Sequence, residues 1–283
     1  TELAEKQVLE DVLGPIAADR LFTDAQVAIQ VVEVATGEEV WSRNADLALN
    51  PASTTKIVTA ATALRTLGPA YVFRTVLSAD ALPDAKGVIE GPLYVRGGGD
   101  PTMVVEKLWR LARDLELAGV TRVKGGLVLD ESMFGPDHAL PGWDKERDVE
   151  RGPSYFPALS ALSLNFNTEA IVVRPGESGK PAVVLADTPA PSAVEIVSTV
   201  KTGRPGSRHS VEIEREVKGG RTVYTVSGYV PEGAPVRRYH RTVDDPTAYF
   251  GAAFQALLTE RGIQVDGAPR VGVTPDDSEY LAE

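Results

Sequence analysis

The sequence has 283 residues, 43% of them hydrophobic, which is enough to bury a sizeable core in one to three domains. A formal net charge of −11 argues against a nucleic-acid-binding protein, and the lack of cysteine excludes a disulfide framework or a thiolate metal site. His138, His209 and His240 show no metal-ligand spacing, and no apolar run reaches membrane-spanning length. No signal peptide is evident, so an exported protein would be represented here by its mature form.

In chain order, Leu9, Val12, Leu13 and Ile16 form one stripe amid charged residues and predict an amphipathic opening helix. Residues 26–33 read as a buried strand, Ala35-Thr36-Gly37-Glu38 as a turn, and residues 39–42 as the returning strand of a hairpin. Pro51 fixes its own φ and disfavours helix at Asn50, so the chain should arrive there extended. From Ser53 the pattern becomes helical. Ile57, Ala60, Ala61 and Leu64 share a face, and Gly68-Pro69 stops the run. Helix, hairpin and second helix make the start of an α/β layer.

The second helix puts Ser53 in its first turn and Lys56 three residues on, on the same face. A serine hydroxyl becomes a nucleophile when a base takes its proton. A lysine amine serves as that base if burial and neighbouring charge lower its pKa. The helix N-terminus would stabilise negative charge developing on Ser53 or its adduct. The Ser-x-x-Lys pattern is short, however: Ser198-Thr199-Val200-Lys201 fits it too, and a serine at a helix start is equally a cap. These four residues alone leave both readings open.

Beyond residue 71, short strands alternate with Gly- and Pro-marked turns, with strands expected at 71–77 and 93–96. The following Gly97-Gly98-Gly99-Asp100-Pro101-Thr102 lacks the Lys-Ser/Thr ending of a phosphate loop and the dinucleotide-binding spacing. Its glycines suit a turn, and Asp100 or Thr102 a helix cap. A helix with Val104, Val105, Leu108, Leu111, Ala112 and Leu115 on one side, closed by Gly119, leads to a strand at 123–130, a small α/β insert. Residues 131–158, rich in Gly, Pro and aromatics (Phe134, Trp143, Tyr155, Phe156), are expected to form irregular, partly buried loop. Strands follow at 170–174, 182–185, 211–216 and 222–230, with hairpins at Glu177-Ser178-Gly179 and Lys218-Gly219-Gly220. Asp245-Pro246 opens a helix whose apolar face is Tyr249, Phe250, Ala253, Phe254, Leu257 and Leu258. Gly262 ends it, and a strand at 263–265 precedes an acidic, polar tail.

Four stretches, taken in order, carry a resemblance. They are Asn50-Pro51-Ala52-Ser53-Thr54-Thr55-Lys56, then Leu93-Tyr94-Val95-Arg96-Gly97-Gly98-Gly99-Asp100-Pro101-Thr102, then Ser160-Ala161-Leu162-Ser163-Leu164-Asn165-Phe166-Asn167, then Val243-Asp244-Asp245-Pro246. Together they resemble the class C low-molecular-mass penicillin-binding proteins, the D-alanyl-D-alanine carboxypeptidase/endopeptidases of the S13 peptidase family, over essentially all 283 residues. The resemblance implies a mixed α/β (α+β) fold. A domain like that of serine β-lactamases and penicillin-binding proteins, with only its N-terminal part present, would be interrupted by two nested, β-rich inserted domains. Residues 1–72 would be the first part of the acyltransferase domain, 73–97 and 167–276 the outer insert, and 98–166 the inner α/β insert. Residues 277–283 would return toward the second half of the acyltransferase domain.

The resemblance carries Ser53 over as nucleophile and Lys56 as base, with no cofactor and no metal. Ser53 would attack the carbonyl between two D-alanines of a peptidoglycan stem peptide, release the terminal one, and form an acyl-enzyme that water hydrolyses. A β-lactam antibiotic would acylate the same serine. The implied location is periplasmic or extracellular, at the cell wall. Family members also carry a Ser-x-Asn motif and a Lys-Thr-Gly strand after the inserts, and this sequence reaches Glu283 about where that half begins. Ser163-Leu164-Asn165 and Lys201-Thr202-Gly203 mimic those motifs but fall in the insert-like portions, where they read as structural turn and loop. The expectation is a site completed by a second half or a second polypeptide. A catalytically incomplete fragment, a non-catalytic wall-binding scaffold and a β-lactamase-like serine hydrolase are the alternatives.

Overall fold

The computed structural model describes residues 2–138, 154 and 157–283. Trp143, Tyr155 and Phe156, expected in an irregular loop, lie outside the described residues. The chain divides into two units, Thr1–Tyr71 and Val72–Glu283.

In the first unit, helix α1 (Glu2–Ala17) precedes an antiparallel hairpin of β1 (Ile29–Val32) and β2 (Glu39–Arg43), and α2 (Thr55–Leu67) follows. The hairpin matches the alternation in its sequence. Its core is small: Ala17 and Trp41 are buried, and the Trp41 indole N–H donates to Glu10 Oε2 at 2.5 Å. The expected stripe on α1 does not enter a core. Val12 and Ile16 are exposed, Leu9 and Leu13 half-buried, and α2 buries none of its residues. A two-stranded sheet offers too little surface to cover two helices.

The second unit is organised by α3 (Val105–Leu117) and α4 (Pro246–Glu260) packed among four sheets. The largest sheet contains β3 (Thr75–Ala79), β5 (Leu93–Gly97), β7 (Leu127–Asp130), β16 (Arg270–Val271) and β17 (Glu279–Ala282), in the order β16-β7-β5-β3-β17. A smaller parallel sheet pairs β4 (Val88–Ile89), β6 (Arg122–Val123) and β15 (Gln264–Val265). The strand expected to run unbroken through 123–130 is therefore two strands in two sheets. Gly125 lets the Gly91-Pro92 backbone approach at the break: a Cβ there would lie 2.3 Å from the backbone nitrogen of Pro92. The acidic, polar tail forms β17 on the edge of β3. β7, from the segment expected as an inner insert, lies between β5 and β16 from the segments expected as the outer one. Leu77, Leu93, Val95, Leu127 and Leu129 share one core across that boundary.

Helix α3 buries Leu108, Leu111, Ala112 and Leu115, the face its spacing predicts. Both long helices of this unit end in the same way. Gly119 (φ 81°) and Gly262 (φ 79°) take left-handed conformations, and the next N–H, of Val120 or Ile263, reaches back to Leu115 or Leu258. Asp245 caps α4 by accepting from Ala248 N–H at 2.8 Å. The start of α3 departs from expectation. Asp100 accepts from Thr102 N–H and hydroxyl within its own turn, while Val105 N–H donates to Asn165 Oδ1 (3.1 Å), sixty residues further on.

The β-rich remainder comprises β8 (Thr168–Arg174), β9 (Val183–Ala186), β10 (Val194–Ser198), β11 (Lys201–Gly203), β12 (Ser210–Lys218), β13 (Arg221–Pro231) and β14 (Arg237–Thr242). β14-β8-β9 is an antiparallel sheet. β12 and β13 form the expected hairpin, while β10 and β11 lie parallel along the other edge of β13. β10, β11 and β14 were not apparent from sequence alternation.

Glu169 is buried beside α4. Its Oε1 accepts from the N–H groups of Asp187 (2.8 Å) and Thr188 (3.1 Å), and its Oε2 from the Tyr249 hydroxyl (3.0 Å). Burial pushes the carboxyl above its ordinary 4.5 despite these donors. The folded chain thus favours the protonated form. That contribution is present in full below the ordinary value and is lost as pH rises through the raised one. Comparing the urea stability of wild type with Glu169→Gln, the difference should shift toward the variant as pH rises from about 4 to about 8. In the same assay Phe254→Ala should cost about 3–5 kcal/mol, the range for truncating a buried aromatic. In the 283-residue chain by itself, Ile57→Ala on exposed α2 should change stability by less than about 0.5 kcal/mol.

Candidate active site

Pro51 brings no N–H to the turn, so the first free donor is that of Ala52. Asn50 Oδ1 accepts it at 3.0 Å, closing a two-residue side-chain turn. Ala52 sits at φ 43°, a left-handed value that a non-glycine residue adopts only under constraint. On the far side of the turn, Thr54 donates both its N–H (2.9 Å) and its hydroxyl to Pro51 C=O. The chain passes through a short 3₁₀ turn, Ala52–Thr54, and then enters α2.

Ser53 lies within that 3₁₀ turn. It does not cap α2: the cap position belongs to Thr54, which makes no side-chain capping bond. The Ser53 hydroxyl instead receives Lys56 Nζ at 2.9 Å. The two residues singled out by spacing are therefore in direct contact, close enough for a proton to pass from Oγ to the amine. Both side chains are exposed, and so is the whole apolar face of α2, with Ile57 72% accessible.

The look-alike motifs serve other purposes. Lys201-Thr202-Gly203 forms β11 rather than a turn, and Thr202 is buried, its Oγ1 accepting from Gly176 N–H at 2.9 Å. Ser163 Oγ donates to Ser160 C=O, and Asn165 binds the start of α3 and donates to Thr188 Oγ1. Ser198 and Lys201 fall on successive strands β10 and β11, so that Ser-x-x-Lys pair is not stacked on a helix face. Sequence reasoning missed Asn50 and the left-handed Ala52; the signal was the Asn-Pro dipeptide, which favours turn initiation.

The histidines are partnered individually or exposed. His138 Nε2 is 2.8 Å from Glu131 Oε2, His209 Nε2 is 2.6 Å from the Tyr239 hydroxyl, and His240 is exposed. Among the described residues no group of three or more His, Asp or Glu could hold a metal ion, and no helix is long and apolar enough to cross a membrane.

The sequence profile of the D-Ala-D-Ala carboxypeptidase 3 (S13) family matches residues 9–283. The D-alanyl-D-alanine carboxypeptidase of Actinomadura sp. (strain R39) is 33% identical over 285 residues, covering 97% of this chain and 52% of that protein. The crystal structure of penicillin-binding protein 4 from Haemophilus influenzae superposes with a TM-score of 0.69 at 22% identity, covering 90% of this chain and 55% of that one. The same protein complexed with a β-lactam gives a TM-score of 0.64 at 20% identity, covering 89% and 53%. The chain spans about half the length of the curated relatives it matches. A profile matched from residue 9 to residue 283, through the Ser53–Lys56 turn and α4 alike, makes this chain a member of the D-Ala-D-Ala carboxypeptidase 3 (S13) family.

Proposed function

We propose that the protein bearing this chain is a serine-type D-alanyl-D-alanine carboxypeptidase/endopeptidase acting on peptidoglycan stem peptides, with Ser53 as nucleophile and Lys56 as base. The observation that carries the reading is the 2.9 Å contact between Lys56 Nζ and Ser53 Oγ, in a chain of the S13 family. The Lys56 amine takes the hydroxyl proton as Oγ attacks the carbonyl between the two D-alanines. The carbon–nitrogen bond breaks, the terminal D-alanine leaves with that proton, and water hydrolyses the remaining ester to restore Ser53. Ser53 N–H, at the start of α2, supplies one donor to the developing oxyanion. A β-lactam presents a strained amide to the same serine and forms a longer-lived ester. The substrate polymer places this work outside the cytoplasm, in the periplasm or at the cell wall.

The exposed face of α2 favours a further statement. The second half of the acyltransferase domain, lying outside this chain, packs on Ile57, Val58, Leu64 and Leu67, excludes water from the Ser53–Lys56 pair and brings the second oxyanion donor. The division at Tyr71/Val72 supports reading residues 1–72 as the first part of that domain and the β-rich sequence after it as inserted. On this reading the 283-residue chain alone is inert, because nucleophile, base and oxyanion hole act as a unit.

The test is intact-mass spectrometry of the protein isolated from its natural source, before and after benzylpenicillin. A gain of one penicilloyl group, absent in Ser53→Ala, is expected, and an adduct that persists in Ser53→Ala would assign the nucleophile elsewhere. Lys56→Met should slow acylation by about 10²–10⁴-fold, the usual contribution of a positioned proton acceptor. Lys201→Ala, in the look-alike motif on β11, should leave the acylation rate within about twofold of wild type, because its Ser-x-x-Lys pair is split over two strands rather than stacked on a helix face.

A further inference from the structure

We propose that Asn50 is a positioning residue for Ser53: its side chain holds Ala52 in the left-handed turn that aims the Ser53 N–H and hydroxyl. The inference rests on the reading of Ser53 as nucleophile.

Alanine gains nothing from a positive φ. Glycine enters that region freely and asparagine tolerates it, whereas alanine does so against the contact between its Cβ and the carbonyl oxygen. A strained value such as φ 43° at Ala52 persists only where its surroundings over-determine it. Here two clamps act from opposite sides. Asn50 Oδ1 takes the Ala52 N–H at 3.0 Å, and Pro51 C=O takes both donors of Thr54. Of the two clamps, the Asn50 side chain is the one that holds the Ala52 N–H; the Ala52 C=O accepts from Thr55 N–H within the 3₁₀ turn.

The next peptide group, between Ala52 and Ser53, carries the Ser53 N–H. Its orientation follows from the torsions of Ala52. If Ala52 relaxed to negative φ, that peptide would rotate. The N–H offered to the oxyanion would turn away, and Ser53 Oγ would shift against Lys56 Nζ, with which it now makes a 2.9 Å contact. Such a displacement lowers the fraction of molecules competent to react rather than the affinity for ligand, so it acts on the acylation step. An amide is suited to this place because it offers an acceptor without adding charge.

The alternative is that the Asn50 turn merely starts α2, in which case its loss would affect stability alone. Five proteins separate these readings: wild type, Asn50→Leu, Asn50→Asp, Ala52→Gly, and Asn50→Leu in the Ala52→Gly background. Non-covalent affinity and the acylation rate for benzylpenicillin are resolved by stopped-flow, with a thermal melt of each variant. Asn50→Leu should acylate about tenfold more slowly with little change in affinity, the loss expected when one neutral hydrogen bond no longer holds the conformer. Asn50→Asp keeps the acceptor and should recover to within about threefold. In the Ala52→Gly background the Asn50→Leu penalty should shrink to about twofold, because glycine reaches positive φ without help. Wild-type acylation by Asn50→Leu, or an undiminished penalty in the glycine background, would overturn the proposal. The φ of Ala52 in a crystal structure of Asn50→Leu gives a reading independent of activity. A value still near 43° counts against Asn50, a negative value for it. If wild type itself forms no adduct at Ser53, it is the assignment of the nucleophile that fails, and the φ measurement still decides whether Asn50 holds the turn.

Discussion

Tyr249, Phe250, Phe254 and Leu258 of α4 are inaccessible to solvent, and enclosing a helix so thoroughly obliges every polar atom it carries inward to find a partner. The Tyr249 hydroxyl reaches Thr188 Oγ1 at 2.6 Å and the Glu169 carboxylate at 3.0 Å. Thr188 Oγ1 also receives Asn165 Nδ2, and Asn165 Oδ1 receives the first N–H of α3. At the other end of the first turn of α4, Thr247 donates to Glu131, which also engages His138 and Ser160. These two polar chains tie α4 to the start of α3, to β8 and to the segment after β7. Partly satisfied, either would destabilise the core more than an apolar substitute; fully satisfied, they specify one arrangement.

This architecture explains what was legible in the sequence. The helices of the second unit were legible because their apolar residues recur with the helical period and because Asp245, Gly119 and Gly262 mark ends by local chemistry. The β12–β13 hairpin was legible from its alternation and Lys218-Gly219-Gly220 turn. What escaped notice were strands selected by a partner rather than by their own residues. β14, Arg-Arg-Tyr-His-Arg-Thr, carries three arginines in six residues and is a strand because β8 offers it an open edge. β17 escaped for the same reason, its acidic sequence masking the pairing with β3. The break at Lys124-Gly125-Gly126 follows from the close approach of the Gly91-Pro92 backbone, a tertiary fact. In the Ser53 turn, the contact between Ser53 and Lys56 was legible from their spacing. The Asn50-Pro51 dipeptide marks a turn, but no residue type there announces the handedness of Ala52.

The two units differ in how their conformations are held. The second keeps its helices by burial and satisfied polar networks. The first keeps the Ser53 turn by local hydrogen bonds, with a strained alanine and with α2 open to solvent. Strain of this kind is characteristic of segments shaped for chemistry and supported from outside themselves. Buried packing and backbone strain are thus concentrated in different parts of the same polypeptide.

The pairing of β17 with β3 joins residues some 200 apart, as the contact between Ser278 and Ser78 hydroxyls shows. During synthesis on the ribosome β3 emerges early, and its outer edge then presents unpaired backbone groups until residues 279–282 follow. An open strand edge of this sort invites pairing with another chain. The order of synthesis thus leaves that edge of β3 without its β17 partner until nearly the whole chain has been made. The acidic character of residues 276–283 would keep this last strand soluble until it docks.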